Sequence, residues 1–192
     1  NSSAPLTGIT LRYPFWIQGR PRAEGNSDEA VFNSIDADYF RTLRVPVRQG
    51  RVFDSRDNEK GPAVCVINAA LAKRLFPNEN PLGKRLQTVT FLNRNYREIV
   101  GVVGDVKQDT QADVPTPQVY VPLRQSPWFF ATLLVRTNGN VSTGTLQSAV
   151  RRADPTLTMT IRTMDEAIAR TAAQPRLRAA LFGVFGLIAL GL

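Results

Sequence analysis

Histidine is absent from this chain of 192 residues. The absence removes the commonest general base near neutral pH and the commonest metal ligand, and it excludes a Ser-His-Asp hydrolase. Cysteine occurs once, at Cys65, so no disulfide can form within the chain. Cys65 lies in the apolar stretch Ala63-Val64-Cys65-Val66-Ile67, where a buried, inert thiol is expected instead of a nucleophile. A dense block of one charge is missing as well. Lys and Arg number 24 against 16 Asp and Glu, a net charge of +8. Yet the cations stand singly or in pairs, as at Lys73-Arg74 and Arg151-Arg152, without the interleaved aromatics of a nucleic-acid platform. No nucleic-acid partner is expected, and the excess cations read as a solvated basic surface.

Long apolar runs are also scarce, with one exception at residues 179–192, AALFGVFGLIALGL. At ~1.5 Å per residue this run covers about 21 Å of helix, short of the roughly 20 residues that a ~30 Å bilayer core requires. Two features nevertheless favour a membrane over a buried core helix. The run is apolar on every side, and Gly183, Gly186 and Gly191 interrupt it, which is costly in a soluble helix but common in membranes. We read residues 179–192 as the start of a truncated transmembrane helix. Its membrane-entry residues are Arg176, Arg178, Leu181, Phe182, Phe185 and Ile188, the two arginines placed to meet lipid headgroups. The chain begins at Asn1 with neither a charged n-region nor an apolar h-region, and is read as an excised fragment.

The remainder, 43% hydrophobic overall, suffices for a proper core in one domain or two small ones. Strands are expected at 13–18, 31–35 and 63–67, with Asp36 or Asp38 capping a short helix through Leu43 that Pro46 ends, and a turn at 50–53. Asn68 caps a helix whose Leu71, Leu75 and Phe76 recur at helical spacing before Pro77. Short strands follow at 85–91, 96–106 and 118–122, then a strand at 129–136, a helix at 143–153 and a strand at 157–161. Thr163-Met164-Asp165-Glu166 fits a capping box that opens a last helix. Helices and strands mix without a strict βαβ rhythm, so the fold class is α+β.

No motif carries catalytic chemistry. Gly101-Val102-Val103-Gly104-Asp105 lacks the third glycine and following helix of a dinucleotide turn, and reads as a bulge or strand end. Gly83-Lys84 lacks the next Ser or Thr of a phosphate loop and is followed by Arg85. Asp54 with Asp57, and Glu24 with Asp28 and Glu29, lack the glycine turn and terminal Glu of a calcium loop, and read as solvated loop acids. No catalytic, cofactor-binding or metal residues are expected.

The order of motifs is nonetheless specific. Asp38-Tyr39-Phe40-Arg41-Thr42-Leu43 comes first, then Gly50-Arg51-Val52-Phe53, Val66-Ile67-Asn68 with Leu71-Ala72-Lys73-Arg74-Leu75-Phe76-Pro77, and Asn80-Pro81-Leu82-Gly83-Lys84-Arg85. Ile99-Val100-Gly101-Val102-Val103-Gly104-Asp105-Val106, Val119-Tyr120-Val121-Pro122-Leu123, and Arg162-Thr163-Met164 with Gln174-Pro175-Arg176 complete the series. In this order the chain resembles the extracytoplasmic core domain of MacB/FtsX-like ABC transporter permeases. Arg44 departs from the family, which usually has Gly there; so do Val52, often an acid, and Asn78, commonly Gly.

The resemblance implies two lobes. A discontinuous, Porter-like α+β lobe would take residues 1–45 and 126–178, ending in a stalk helix, and a β-rich, Sabre-like lobe would take 46–125. It implies a non-catalytic domain on the periplasmic side of the cytoplasmic membrane, passing ATP-driven motion from membrane helices to substrate or partner proteins in efflux or lipoprotein transport. The implied partners are a cytoplasmic ATPase, a second permease as dimer partner, a periplasmic adaptor, and the membrane through flanking helices. The alternative is an extracytoplasmic module that binds lipid or peptide.

Overall fold

The computed structural model describes residues 11–20, 28–89, 94–107, 114–128, 131–139 and 141–169. They fall into two compact units, the first reaching Leu134 and the second beginning at Val135.

The first unit holds seven strands and two helices among its described residues. In chain order they are β1 (Arg12–Ile17), β2 (Asp28–Ile35), α1 (Tyr39–Leu43), β3 (Val47–Gly50), β4 (Val64–Asn68), α2 (Ala69–Leu75), β5 (Arg85–Val89), β6 (Arg94–Val103) and β7 (Gln118–Pro122). The strand order is β3-β6-β4-β7-β2-β1-β5, and β5 also pairs with β6. Six strands thereby close into a ring, and β3 continues from the C-terminal half of β6. The β2–β7 and β4–β6 pairs are parallel; the other pairs are antiparallel.

Alternation of side chains along the strands sorts the core into two clusters. Every ring strand contributes to the first: Phe15, Phe32, Cys65, Ile67, Leu86, Ile99, Val102, Val119 and Val121 gather with Leu71, Leu75 and Phe76 of the α2 segment. This is the inside of the ring, with α2 packed onto it. The intervening residues Val64, Val66, Tyr120 and Val103 face the other way, where Tyr39 and Phe40 of α1 cover them with Phe53. All five residues of β4 and all five of β7 are buried, as expected of strands packed on both faces.

In β6, Ile99 and Val102 face the same side although three residues apart. The register with β4 explains it: Cys65 pairs with Ile99 and Val66 with Gly101, leaving Val100 as the extra residue of a bulge. A Cβ on Gly101 would lie 2.0 Å from the Arg51 carbonyl oxygen, so the bulge admits only glycine there.

Helix α1 ends at Arg44, whose φ of 56° and ψ of 36° are left-handed. The closure, with Val45 N–H donating to the Phe40 carbonyl at 2.9 Å, precedes Pro46. Asp38 occupies the N-cap without capping through its side chain, which pairs with Arg41 at 2.9 Å instead. Asn68 does cap α2, accepting from Leu71 N–H.

In the second unit α3 (Thr143–Ala153) has the expected bounds and is capped by Ser142. Residues 164–169 are helical, opened by a reciprocal capping box: Thr163 N–H donates to Glu166 Oε2 at 3.0 Å, and Glu166 N–H donates to Thr163 Oγ1 at 3.2 Å.

Mixed α and β structure is found as expected, but three readings need correction. Residues 47–50 form a strand, residues 51–54 have no regular structure, and the turn comes at 55–56. Residues 131–136 and 157–161 have no regular structure; a strand forms only where a neighbour supplies its ladder, and no strand pairing among the described residues includes them. The lobe boundary at residue 46 does not separate two sheets, because β2 is hydrogen-bonded to β7 from Val31 to Ile35 and the ring is continuous.

Candidate functional site

The side chains singled out in the sequence are engaged in structural contacts. Cys65 is fully buried with Sγ 3.8 Å from the Arg97 carbonyl oxygen, and burial pushes its thiol up to about 12. Asp57 is buried and held by two hydrogen bonds from Arg51, at 2.6 and 2.9 Å. Asp54 pairs with Arg56 at 2.7 Å, whose hydrogen bonds hold the exposed Asp54 carboxyl well below the usual range. Asp28 pairs with Arg74; Glu24 lies outside the described residues. Two arginines thus fill the space a cation would need beside Asp54 and Asp57.

Gly83 takes a φ of +79° in a tight turn, and Lys84 Nζ lies 2.9 Å from Glu79 Oε2. That hydrogen bond lowers the Glu79 carboxyl. Arg20 approaches the same Glu79 at 3.6 Å and stacks 5.1 Å from the Phe76 ring centroid. An open cleft of 660 Å³ lies beside this knot, lined in part by Phe76, Pro77, Leu82 and Gln49. The membrane-entry residues Arg176, Arg178, Leu181, Phe182, Phe185 and Ile188 lie outside the described residues.

Sequence reasoning missed two carboxamides that lock the β4–β7 seam, the buried Asn68 and the half-buried Gln125. Only Val66 with Tyr120 and Ile67 with Val119 pair along it. At one end Asn68 Oδ1 accepts from Leu71 N–H at 3.1 Å and Gln118 N–H at 2.9 Å. Its Nδ2 donates to Asp105 Oδ1 at 2.6 Å and to the Thr116 carbonyl at 2.9 Å. Asp105 Oδ1 also accepts from Ala70 N–H at 3.0 Å, and Tyr120 Oη donates to Gln118 Oε1 at 2.6 Å. Burial raises the Tyr120 phenol well above its ordinary value.

At the other end of the seam Gln125 Oε1 accepts from Val64 N–H at 3.3 Å and from Arg97 at 2.9 Å. Its Nε2 donates to the carbonyls of Asn58 at 3.1 Å and Pro62 at 2.9 Å. An amide with two donors and two acceptor positions satisfies four groups at each end, which no other uncharged side chain of this size does. The visible signals were Asn68 as a helix cap and Arg97 just before the apolar run that begins at Ile99 of β6. What they join is separated by up to 67 residues.

Closed ring, covered outer face and amide clamps together describe a scaffold whose buried polar chemistry is spent on holding shape. The MacB-like periplasmic core domain family matches residues 6–153, and the chain belongs to that family. Among its relatives, the macrolide export ATP-binding/permease protein MacB of Aggregatibacter actinomycetemcomitans is 38% identical over 71 residues, covering 37% of this chain and 10% of the relative. The ABC transporter permease YknZ of Bacillus subtilis (strain 168) is 28% identical over 113 residues, covering 59% of this chain and 27% of the relative. The chain therefore spans from a tenth to about a quarter of these relatives' length. The periplasmic region of MacB from Actinobacillus actinomycetemcomitans superposes with a TM-score of 0.52 at 19% identity, covering 75% of this chain and 62% of that one, a likeness of fold. Among the described residues no helix is long and apolar enough to cross a membrane.

Proposed function

We propose that the chain is the periplasmic part of an ABC permease of the cytoplasmic membrane, and that it passes ATP-driven motion of the membrane helices to substrate or partner proteins outside that membrane. The family match over residues 6–153 carries this reading. The closed ring supports it physically, because a barrel pinned across its seam moves as a body and a displacement at one point is carried through it.

In this reading the second unit is membrane-proximal. Residues 163–178 are the stalk, started by the capping box at Thr163 and Glu166. Arg176 and Arg178 sit at the headgroups, and Leu181, Phe182, Phe185 and Ile188 enter the bilayer. The ATPase is a separate subunit or domain, a second permease is the dimer partner, and a periplasmic adaptor is a further partner.

The test uses the full-length permease reconstituted with its ATPase. Spin labels replace the exposed Arg48 in the first unit and the exposed Arg162 in the second, and their separation is measured with and without ATP and vanadate. A nucleotide-dependent shift is expected; identical distance distributions would overturn the reading.

A further inference from the structure

The inference rests on the mechanical reading above and names the place where motion enters the barrel. We infer that Gln125, clamped by Arg97, is the anchor that couples the segment leaving β7 to the ring.

Arg97 pairs with Leu86 across β5 and β6, so its side chain points to the same inner face. It is 2% exposed. Among the described residues no carboxylate pairs with it; the ion pairs lie elsewhere. Its closest contact is Gln125 Oε1 at 2.9 Å, with longer ones of 3.5 Å to the Val64 and Gln125 carbonyls. A buried ion is expensive, and an apolar side chain of similar volume would often serve stability as well or better. The arrangement makes sense as positioning. A carboxylate at 125 would neutralise Arg97 but could not donate to Asn58 and Pro62, so holding both sides at once requires the amide.

The position of Gln125 in the chain gives the clamp its role. It comes three residues after Pro122, the last residue of β7, and the whole segment is tied down. Leu123 N–H donates to the Ile35 carbonyl at 2.8 Å, and Gln125 and Ser126 N–H both donate to the Pro122 carbonyl, at 3.0 and 3.1 Å. Ser34 Oγ donates to the Ser126 carbonyl at 2.5 Å. Residues 123–126 are thus fastened to β2, β4, β6 and the loop before β4. Residues 131–139 have no regular structure. Leu134 packs against the outer cluster, and between it and β7 the knot at 123–126 is where a displacement along the chain meets a hydrogen-bonded hold. A pull along the axis of β7 loads its ladders to β2 and β4 in shear, spreading it over several hydrogen bonds instead of opening them one at a time.

Amide hydrogen exchange on the full-length permease with its ATPase tests the anchor. Exchange in β4 and β7 is read with and without ATP and vanadate in the wild type, in Gln125→Leu, and in Leu71→Ala, a core truncation away from the knot. The wild type is expected to show a nucleotide-dependent change in both strands. Gln125→Leu should lose that change with ATP hydrolysis unchanged, and Leu71→Ala, although less stable, should keep it. A wild-type response in Gln125→Leu, or its loss in Leu71→Ala, overturns the anchor. No response in the wild type overturns the mechanical reading itself, and the two failures are told apart by that comparison.

Discussion

Arg51 grips Asp57 with two of its guanidinium nitrogens, at 2.6 and 2.9 Å, while the same carboxylate accepts from Asp54 N–H at 2.9 Å. The pair holds the irregular segment between β3 and β4 in shape, and it orients the Arg51 backbone, whose carbonyl sits against Gly101. The Asp57 side chain is 3% exposed and that of Arg51 is 36% exposed, so the arginine can recover solvent contact when its partner is lost. Asp57→Asn should therefore cost about 2 kcal/mol, within the range for hydrogen bonds to charged groups. Urea denaturation of the two proteins under identical conditions measures it; an unchanged midpoint would show the pair to be ornamental.

Cys65 is expected to be silent until the barrel opens. Its folded thiol keeps its proton to about 12, whereas an unfolded one ionises near ~8.5. The folded value is the raised one, so this contribution to stability is complete below pH ~8.5 and is lost as pH climbs from there towards the folded value. Native protein at pH ~8 should not react with a thiol-specific disulfide reagent, and adding urea should release one equivalent along the unfolding curve. Rapid labelling without urea would mean that β4 is less buried than it stands.

Arg44 breaks a local rule at low visible gain. Its left-handed backbone costs an L-residue roughly 1 kcal/mol that glycine does not incur, and its side chain is exposed. Arg44→Gly should raise the stability by up to about 1 kcal/mol, reduced somewhat by the freer unfolded chain, as a shift of the urea midpoint to higher concentration. A lower midpoint would mean that the guanidinium makes a contact worth more than the strain.

The elements that sequence made legible are those whose signals are local. The four apolar residues of β4, the Asn68 cap, the spacing of Leu71 and Leu75, the helix at 143–153 and the Thr163–Glu166 box each lie within a few residues of what they determine. Ring closure does not: β5 reaches β6 as a local hairpin, but its pairing with β1, from Phe15 to Thr88, lies in no short window. The expected strands at 129–136, of which 131–136 lie within the described residues, and at 157–161 show the same limit from the other side, since alternation states a preference but the ladder needs a neighbour. β3 was hidden because all four of its residues are exposed, which removes the hydrophobic pattern that marks a strand. The amide clamps escaped for a related reason. Asn68 and Gln125 look like ordinary cap and loop residues, and only the fold brings Asp105, Gln118, Val64 and Arg97 to them.

Asn68 offers the sharpest test of that point, because the change to aspartate keeps its shape and its capping oxygen. Asn68→Asp retains acceptors for Leu71 and Gln118 N–H but loses both donors, and it puts a second carboxylate where the amide stood 2.6 Å from Asp105 Oδ1. A buried carboxylate at 68 within hydrogen-bond distance of the exposed Asp105 carboxylate is not ionised cheaply, so one proton is held between the two to a pH above the ordinary carboxylate range. The folded state then binds a proton that the unfolded chain has released. By linkage the variant is closest to wild type below the unfolded carboxylate value near ~4, and it loses stability progressively as pH rises through the raised folded value. Asn68→Ala loses all four bonds but adds no charge, so its deficit should stay flat over the same interval. Urea midpoints of the three proteins from mildly acidic to neutral pH separate these outcomes. Parallel curves for the aspartate and alanine variants would mean that Asp105 swings into solvent and that the clamp is looser than its distances state.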